Sequence, residues 1–368
     1  MIKITSIDVY KIDLPLKEGK YNWSHQSSVS AFDSTIVKLN TDKNIFGFGE
    51  VCTLGPAYLP AYPEGAREGI KKIGKFLIGM DPTNFSEINI QMDRNLKGHN
   101  YVKSPIDMAC WDILGKYLEQ PVWKFLGGKF GKEVNLYRAI SQESSKEMSK
   151  KVKKYKKEGY TKFQLKVGGN PAEDIDRIRL IRSILDKKDI LVADANTGWL
   201  MHDALIVINA IKDLDVYIEQ PCISYNENLS VRQKTNKPFI LDESIDSIES
   251  LLRAYNDKAV DLINIKISKI GGLSKAKLLR DLCIELGIAM TIEDSWGGDI
   301  ATSAISHLAH STPEKFRFSS TDFNSYNTVN YSKGAPQRKN GSFIASNKNG
   351  LGIEVNEKKL GKPLFTIS

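Results

Sequence analysis

The N-terminal third of the chain and the remainder differ in how apolar and polar positions alternate. Residues 1–60 alternate apolar and polar side chains over short segments joined by turns, which predicts an antiparallel meander. Residues 65–125 carry apolar side chains at helical spacing, and the clearest helix is predicted to have Ser104 as its cap and Pro105 in its first turn. The polar, serine-rich segment 16–33 has the composition of a mobile loop, which we expect to act as a lid.

From residue 134 onward, short apolar runs alternate with amphipathic helical stretches. Eight runs are predicted to be strands, at 134–140, 162–168, 190–196, 216–221, 239–244, 262–268, 288–294 and 316–323. With helices between most of them, this pattern predicts an α/β protein with a (β/α)8-type barrel over residues 126–338. The segment 339–368 carries no ninth unit, and we expect it to return to the N-terminal region.

Ionisable residues stand at the predicted carboxyl ends of five consecutive strands: Lys166, Asp194, Glu219, Asp242 and Lys266. Active sites of such barrels lie at that face. Alternate residues of a barrel strand face the helices and the interior. In the sixth strand, isoleucines at 263, 265 and 267 share one parity and Lys266 has the other. The lysine is therefore predicted to point into the barrel mouth, where it needs polar partners.

Three of these residues, Asp194, Glu219 and Asp242, are carboxylates on neighbouring strands. They would repel one another unless a cation lay among them. Three oxygen ligands with positions left for water or substrate favour Mg²⁺ over Ca²⁺ or Zn²⁺. The alternative is that each acid caps a helix or pairs with a nearby lysine, but the placement on three neighbouring strands favours a shared metal ion.

Lys166 and Lys266 belong to the second and sixth predicted strands, which face each other across a closed ring of eight. One amine on each face of a substrate fits proton removal on one face and proton return on the other. It fits equally the removal of a proton with departure of a group from either face. A lysine near a metal ion and partly desolvated is expected to have a lowered pKa. The alternative is a buried lysine that only pairs with one of the acids.

Composition narrows the possible partners and compartment. The net charge is +8, but the lysines are spread along the chain and no nucleic-acid-binding motif accompanies them, so no nucleic-acid partner is expected. No run of about 18 apolar residues predicts a membrane span, and the N-terminus lacks the apolar block of a signal peptide. Four scattered cysteines lack the spacing of a zinc site or a disulfide framework. We expect a cytoplasmic protein with reduced thiols.

These residues, together with segments 104–116 and 266–276, resemble the enolase superfamily, specifically its muconate-lactonizing subgroup, over essentially the whole chain. The resemblance implies an α+β capping domain, formed by residues 1–125 and the C-terminal segment and closed over the barrel. It implies abstraction of the proton α to a carboxylate, with Mg²⁺ stabilising the enediolate as charge develops. Homo-oligomers are common among relatives, so one is expected here. The implied roles are metal ligand for Asp194, Glu219 and Asp242, and acid or base for Lys166 and Lys266.

One position departs from the pattern of this subgroup. The usual lysine two residues before the base on the second strand is Gln164 here, which removes a positive charge that would lower the pKa of Lys166. The division of labour between Lys166 and Lys266 therefore stays open. Glu293 matches an acid that hydrogen-bonds the substrate carboxylate in relatives, and the alternative for it is a helix-capping acid.

Segments 50–65, 293–309 and 319–329 are similar to cis-3-hydroxy-L-proline dehydratases and hydroxyproline betaine epimerases. A small carboxylate substrate of this class, a cyclic amino acid or its betaine, needs aromatic surface and a counter-charge for its nitrogen. The residues expected to contact it are Trp23, Tyr58, Gln164, Asn196, Glu293, Asp294, Trp296 and Asp322.

The last predicted strand offers Asp322 and Phe323 but no tryptophan, which favours a secondary amine over a quaternary betaine. Dehydration of a 3-hydroxyproline is therefore the leading prediction, and epimerisation of a proline or its betaine is the alternative. A barrel without catalytic activity that serves as a binding protein is disfavoured because all five ionisable residues are present. A nicotinamide enzyme is disfavoured because no glycine-rich dinucleotide fingerprint follows a strand. Acid-sugar dehydration is disfavoured because no polyol-binding set of residues is evident.

Overall fold

The computed structural model describes residues 2–368 and is organised around two main sheets. Its N-terminal elements are, in chain order, β1 (Ile4–Pro15), β2 (Tyr21–Trp23), β3 (Ser27–Val29), β4 (Ala31–Thr41), β5 (Phe46–Cys52), α1 (Pro63–Gly74), α2 (Phe85–Asn95), α3 (Asn100–Tyr117) and α4 (Val122–Phe125). Strands β1, β4 and β5 pair antiparallel, and helices α1 to α3 pack on this sheet to form a separate apolar core.

A close backbone contact joins α3 to the sheet. A Cβ atom at Gly49 of β5 would lie 1.8 Å from the Pro105 carbonyl oxygen of α3. Only glycine therefore allows the strand and the helix to approach so closely. This contact matters for the site because β5 leads directly into the loop that carries Tyr58.

Helix α3 begins at Asn100, so the predicted cap at Ser104 is wrong, and Pro105 lies inside the helix. Tyr101 and Val102 are buried in the core of the N-terminal sheet and helices. Their burial extends the helix by one turn beyond the point that the Ser-Pro signal indicated, because tertiary packing outweighs local propensity.

The middle of the chain contains the second sheet and one short strand, the first of this region, that lies outside it. Its elements are β6 (Val134–Asn135), β7 (Tyr137–Ile140), α5 (Ser145–Lys157), β8 (Lys162–Lys166), α6 (Pro171–Ile184), β9 (Ile190–Asp194), α7 (Met201–Ala210), β10 (Tyr217–Glu219), α8 (Tyr225–Arg232), β11 (Phe239–Leu241), α9 (Ile248–Asn256), β12 (Leu262–Lys266), α10 (Ile267–Ile270), α11 (Leu273–Leu286), β13 (Ala289–Glu293), α12 (Asp299–His310) and β14 (Arg317–Ser320). Strands β7 to β14 are parallel and hydrogen-bonded in chain order. The predicted (β/α)8-type barrel is confirmed.

The C-terminal segment ends on the first sheet. Its elements are a 3₁₀ turn (Phe323–Tyr326), β15 (Ser332–Lys333), β16 (Ser342–Phe343), β17 (Glu354–Val355), α13 (Glu357–Leu360) and β18 (Phe365–Ile367). Strand β18 pairs with β1, which places Ile7 opposite Ile367. We call the sheet β18-β1-β4-β5 together with α1 to α3 the capping domain.

The predicted lid segment contains a short hairpin, β2 and β3, that lies over the carboxyl ends of the barrel strands. The backbone N–H of Asn22 donates to Ser141 Oγ at 2.8 Å, and the backbone N–H of Gln142 donates to the backbone carbonyl of Asn22 at 2.9 Å. Ser24 Oγ donates to the Asn196 carbonyl at 2.8 Å. We call β2 and β3 the lid hairpin, and in this structure it is closed on the barrel mouth.

The two faces of β12 have separate tasks. Ile263 and Ile265 are fully buried in the layer between the strands and the outer helices, against which α11 packs. Asn264 and Lys266 alternate with them and face the barrel interior, where they meet Glu219 and Asp242. Among the described residues, no helix is long and apolar enough to cross a membrane.

We expect Ile265→Ala to destabilise the fold by about 2–5 kcal/mol, because it removes buried methyl groups and leaves a cavity behind β12. Leu278→Ala on α11 is the matched control, since Leu278 is 55% exposed, and we expect it to change stability by less than about 0.5 kcal/mol. Thermal unfolding of both variants checks this. Equal melting temperatures for the two would contradict the assignment of Ile265 to the helix-facing core.

Candidate active site

A narrow cavity lies between the lid hairpin, the capping domain and the carboxyl ends of the barrel strands. It encloses about 20 Å³, which is room for about one water molecule. A ligand of the size of proline therefore requires the lid hairpin or the lysine side chains to move. Most of the residues that the sequence singled out line it: Trp23, Tyr58, Gln164, Lys166, Asn196, Lys266, Glu293, Asp294 and Trp296.

Lys166 at the end of β8 lies opposite Asp194 at the end of β9, and its ammonium group donates to the Asp194 carboxylate. Burial by itself lowers the pKa of Lys166, but Asp194, Tyr21 and Glu219 together outweigh it and raise the pKa well above its usual range. The sequence predicted a lowered pKa, and the structure differs because the carboxylate holds the ammonium form. Lys166 can act as a base only when Asp194 takes another partner.

Lys266 at the end of β12 has three polar partners. Its ammonium group contacts the Tyr58 hydroxyl, lies 2.5 Å from Asp242 Oδ2 and lies 3.7 Å from Glu293 Oε1. Burial lowers the pKa of Lys266, but the acids, Asp242 first, raise it above its usual range. Burial in turn raises the pKa of Asp242, but the charges of Lys266 and Lys269 hold it below its usual range. The capping domain thus supplies a hydroxyl that touches both Lys266 and a predicted metal ligand.

Glu219 at the end of β10 sits between the two ion pairs. Gln164 Nε2 donates to its carboxylate at 3.0 Å, and Asn264 Nδ2 donates at 2.7 Å. Burial raises the pKa of Glu219 well above its usual range, and the neighbouring carboxylates of Asp194 and Asp242 raise it further. Gln164 therefore orients Glu219 by a neutral hydrogen bond at the position where the resemblance leads us to expect a lysine.

The carboxylates fit a hard divalent cation in chemistry and charge but are not arranged as a ready-made ligand set. Over residues 2–368, no three His, Cys, Asp or Glu side chains stand in ligating positions. Lys166 and Lys266 occupy oxygens of Asp194 and Asp242 instead. The negative charges of Asp194 and Asp242, which help to raise the pKa of Glu219, are charges that a bound cation would neutralise. Ligation requires the ammonium groups to move off these oxygens.

Glu293 at the end of β13 lies beside Lys266 in the register of the sheet. The Tyr137 hydroxyl of β7 donates to its carboxylate. Burial raises the pKa of Glu293 to about 7, although the charge of Lys266 lowers it in part. Glu293 caps no helix; its carboxylate faces the cavity between a tyrosine and a lysine, which favours the substrate-binding interpretation over the helix-capping alternative.

The loop after β13 forms one wall of the cavity. Asp294 accepts hydrogen bonds from the backbone N–H groups of Ser268 and Ser295, and burial raises its pKa to about 6. The Trp296 ring lies stacked between Phe32 and Phe323, with ring centroids 4.3 Å and 4.7 Å away. A carboxyl group and an aromatic face therefore meet at this wall.

The capping domain holds this wall in place through Glu50, which is fully buried. Its carboxylate accepts hydrogen bonds from the backbone N–H groups of Gly298 and Ala301 at the start of α12, both at 2.8 Å. The Ser34 and Tyr331 hydroxyls donate to the same carboxylate at 2.7 Å. Four donors on one carboxylate fix the loop that carries Trp296.

Asp322 is the predicted substrate contact that the structure does not bring to the cavity. Its carboxylate is fully buried, accepts a hydrogen bond from the Tyr160 hydroxyl at 3.1 Å and lies 3.8 Å from Arg338. It serves a polar network beneath the 3₁₀ turn, and its neighbour Phe323 lines the cavity instead. Asp322 lies beyond the end of β14, just before the 3₁₀ turn, so the course of this loop and not strand alternation sets the direction of its side chain. The expected counter-charge role of Asp322 is therefore corrected.

Sequence reasoning missed several residues that contact the site. Tyr21 of the lid hairpin and Tyr137 line the cavity, Asn264 binds Glu219, and Lys269 binds Asp242. Asn264 shares the parity of Lys266, and Tyr137 is two residues before Ala139, which also lines the cavity. The alternation within strands, followed inward from the strand ends, was the signal that could have identified both.

Two family models match the chain. Mandelate racemase / muconate lactonizing enzyme, N-terminal domain, matches residues 20–127, and Enolase C-terminal domain-like matches residues 147–359. The chain belongs to the mandelate racemase/muconate lactonizing enzyme family of the enolase superfamily. The resemblance that its motifs indicated is confirmed.

Individual family members align over nearly their whole length. The chain is 56% identical to a cis-3-hydroxy-L-proline dehydratase of Roseibium aggregatum, with 100% of both chains covered. It is 31% identical to an N-succinyl-L-Arg/Lys racemase of Bacillus cereus, covering 98% of this chain and 97% of that one. A solved family member of Roseovarius nubinhibens, complexed with magnesium, superposes with a TM-score of 0.97 at 31% identity, with 100% of both chains covered.

The raised pKa of Asp294 predicts a pH-dependent stability. Because burial raises it in the folded state to about 6, the protonated group favours folding, and this contribution is lost as the pH rises from about 4 through about 6. We expect the melting temperature of the wild type relative to Asp294→Asn to fall over this range, by the equivalent of up to about 3 kcal/mol, and to level off above about pH 7. A difference that grows with pH would contradict the assignment.

Proposed function

We propose that this family member is a Mg²⁺-dependent lyase that dehydrates cis-3-hydroxy-L-proline or a closely related proline-derived amino acid. The observation that carries the proposal is the placement of Lys166 and Lys266 on β8 and β12, four strands apart in an eight-stranded barrel. Both line the same cavity, so a substrate held there lies between two amines. The relative of Roseibium aggregatum, with its 56% identity over the full length, supports this choice of substrate.

Stereochemistry links the two lysines to the cis isomer. In cis-3-hydroxy-L-proline the hydroxyl and the carboxylate lie on the same face of the ring, so the Cα hydrogen lies on the face opposite the hydroxyl. Elimination then needs a base on one face and an acid on the other. Two lysines across a barrel supply both. In the trans isomer the departing hydrogen and hydroxyl share one face, which this arrangement serves poorly.

Asp194, Glu219 and Asp242 would hold Mg²⁺. When bound, the ion would stabilise negative charge on the substrate carboxylate as the Cα proton leaves. The donor set supports this, as does the magnesium complex of the Roseovarius nubinhibens relative. The same carboxylates now hold both ammonium groups, so cation binding and release of the lysines are coupled in this proposal.

The proton transfers need only the two lysines. One, as a neutral amine, takes the proton from Cα, and the electron pair of that bond forms the double bond between Cα and Cβ. The other, as an ammonium group, donates a proton to the hydroxyl, which leaves as water. In this proposal Glu293 binds the substrate carboxylate and Asp294 the ring nitrogen, while Trp23, Tyr58 and Trp296 enclose the ring.

A second candidate is epimerisation by transfer of one proton between the two lysines. The same opposed amines favour it, and the Bacillus cereus relative is a racemase. The two reactions differ in the fate of the hydroxyl, which leaves as water in dehydration and stays on the ring in epimerisation. We also propose a cytoplasmic location, which four buried, unbridged cysteines support, and the homo-oligomer expected from the sequence.

The test is to incubate cis- and trans-3-hydroxy-L-proline separately with the protein and MgCl2 in D2O and to follow both by proton NMR. We expect the cis isomer to lose its hydroxyl-bearing Cβ–H signal at least about 100-fold faster than the trans isomer, since the trans isomer lacks an acid on the correct face. Asp242→Asn, which removes a proposed cation ligand, is the inactive control. Formation of the Cα epimer, deuterated at Cα and with its hydroxyl retained, would contradict dehydration and support epimerisation instead.

A further inference from the structure

Asn196, which is buried, and Glu243, which is partly buried, form a hydrogen-bonded pair beside two of the proposed cation ligands. Asn196 Nδ2 donates to Glu243 Oε1 at 3.0 Å. The backbone N–H of Asn196 donates to Asp194 Oδ1 at 2.9 Å, and Glu243 follows Asp242 in the chain. The pair therefore bridges the ends of β9 and β11 next to both carboxylates.

Each member of this pair has one buried oxygen without a hydrogen-bond partner among the described residues: Asn196 Oδ1 and Glu243 Oε2. The side-chain amide cannot be turned over, because that would place its oxygen against the Glu243 carboxylate. Asn196 is only 4% exposed. Two buried acceptors without donors are unfavourable by themselves, so they indicate a donor that belongs there.

The backbone at Asn196 supports a built site. Its φ is +42°, in the left-handed region that asparagine tolerates better than most residues, and Thr197 follows at +65°. The Ser24 hydroxyl of the lid hairpin donates to the Asn196 carbonyl. This strained backbone conformation directs the side-chain amide of Asn196 towards Glu243 and the cavity, and strained residues of this kind cluster at functional sites.

Glu243 also borders a second cavity, of about 300 Å³, between the capping domain and the barrel. Asp246 and Lys269 line it from the barrel, and residues 59–61 and 98–101 line it from the capping domain. Lys269 also donates to Asp242 Oδ1 at 2.9 Å, so this cavity lies one side chain away from a proposed cation ligand. Magnesium usually keeps several of its water ligands, and carboxylates next to a metal site commonly accept hydrogen bonds from them.

We infer that Glu243, held by Asn196, is an additional carboxylate of the cation site and accepts a hydrogen bond from a water ligand of the bound ion. The inference rests on the proposed function. Glu243 is a positioning residue, since it acts on the ion through water. Asn196 Oδ1, on the substrate side, accepts from the same water shell.

The test is the Mg²⁺ dissociation constant of the full chain, measured by titration calorimetry without substrate. We expect Glu243→Gln to weaken Mg²⁺ binding by at least about tenfold, because it replaces an acceptor by an amide of the same size and removes a negative charge. Asp246→Asn is the matched control, since it removes one charge from the same cavity, and its dissociation constant is expected to stay within twofold of the wild type. Asn196→Gly, which suits the positive φ, should also weaken binding.

An unchanged dissociation constant in Glu243→Gln, with Asp242→Asn abolishing binding, would overturn this inference and leave the proposed function intact. Absence of Mg²⁺ binding by the wild type would overturn both. Circular dichroism and melting temperature establish that each variant is folded. If Glu243→Gln does not fold, the result for Asn196→Gly decides, and unchanged binding in that variant overturns the inference.

Discussion

Buried charges that must neutralise one another shape the mouth of this barrel. Lys166, Asp194, Glu219, Asp242 and Lys266 stand at the ends of five consecutive strands with almost no exposure. A buried ion without a partner is unfavourable by several kcal/mol, so every one of these groups needs a neighbour of opposite charge or a hydrogen-bond donor. The lysines pair with two carboxylates, and two amides hold the third. That mutual dependence explains why the pKa values of both lysines are raised and why cation binding would change them.

The barrel does not enclose the site alone. The capping domain contributes Tyr58, the lid hairpin contributes Trp23, and Glu50 fixes the loop that carries Trp296. The contacts of Tyr58 and Glu50 join the capping domain to the barrel, and those of the lid hairpin join it to the barrel ends, so the shape of the cavity depends on how both sit on the barrel. Substrate selection is therefore expected to depend on Tyr58 and Trp23 as well as on the barrel residues that line the cavity, while the proposed proton transfer depends on the two barrel lysines.

Short apolar runs alternating with helical stretches predicted the barrel well, because each unit repeats the same pattern, and strand parity predicted the placement of the ionisable residues at the strand ends. The same rule located Lys266 on the inner face of β12. The start of α3 was missed because burial of Tyr101 and Val102, which no local signal reveals, extends the helix.

The position of the Asp322 side chain and the raised pKa values of the two lysines could not be predicted from local sequence patterns, for another reason. Whether a residue after a strand turns into the cavity depends on the course of the following loop, and Asp322 turns to Tyr160 instead. The pKa of a lysine depends on which carboxylate it reaches, which only the folded geometry decides. The role proposed for Glu243 could not be predicted from the sequence, since an acidic residue next to another acidic residue is typical of a solvent-exposed surface.

The central claim is that two lysines act on opposite faces of one substrate. The most direct measurement is the rate of dehydration of cis-3-hydroxy-L-proline by Lys166→Ala and by Lys266→Ala, with loss of the Cα proton to D2O followed in parallel. Lys162→Ala is the control, because Lys162 lies on the same strand and parity as Lys166 but outside the cavity. The account predicts that each site variant loses at least about 100-fold in dehydration, while the control stays within about tenfold. Dehydration at near wild-type rate in either site variant would contradict it.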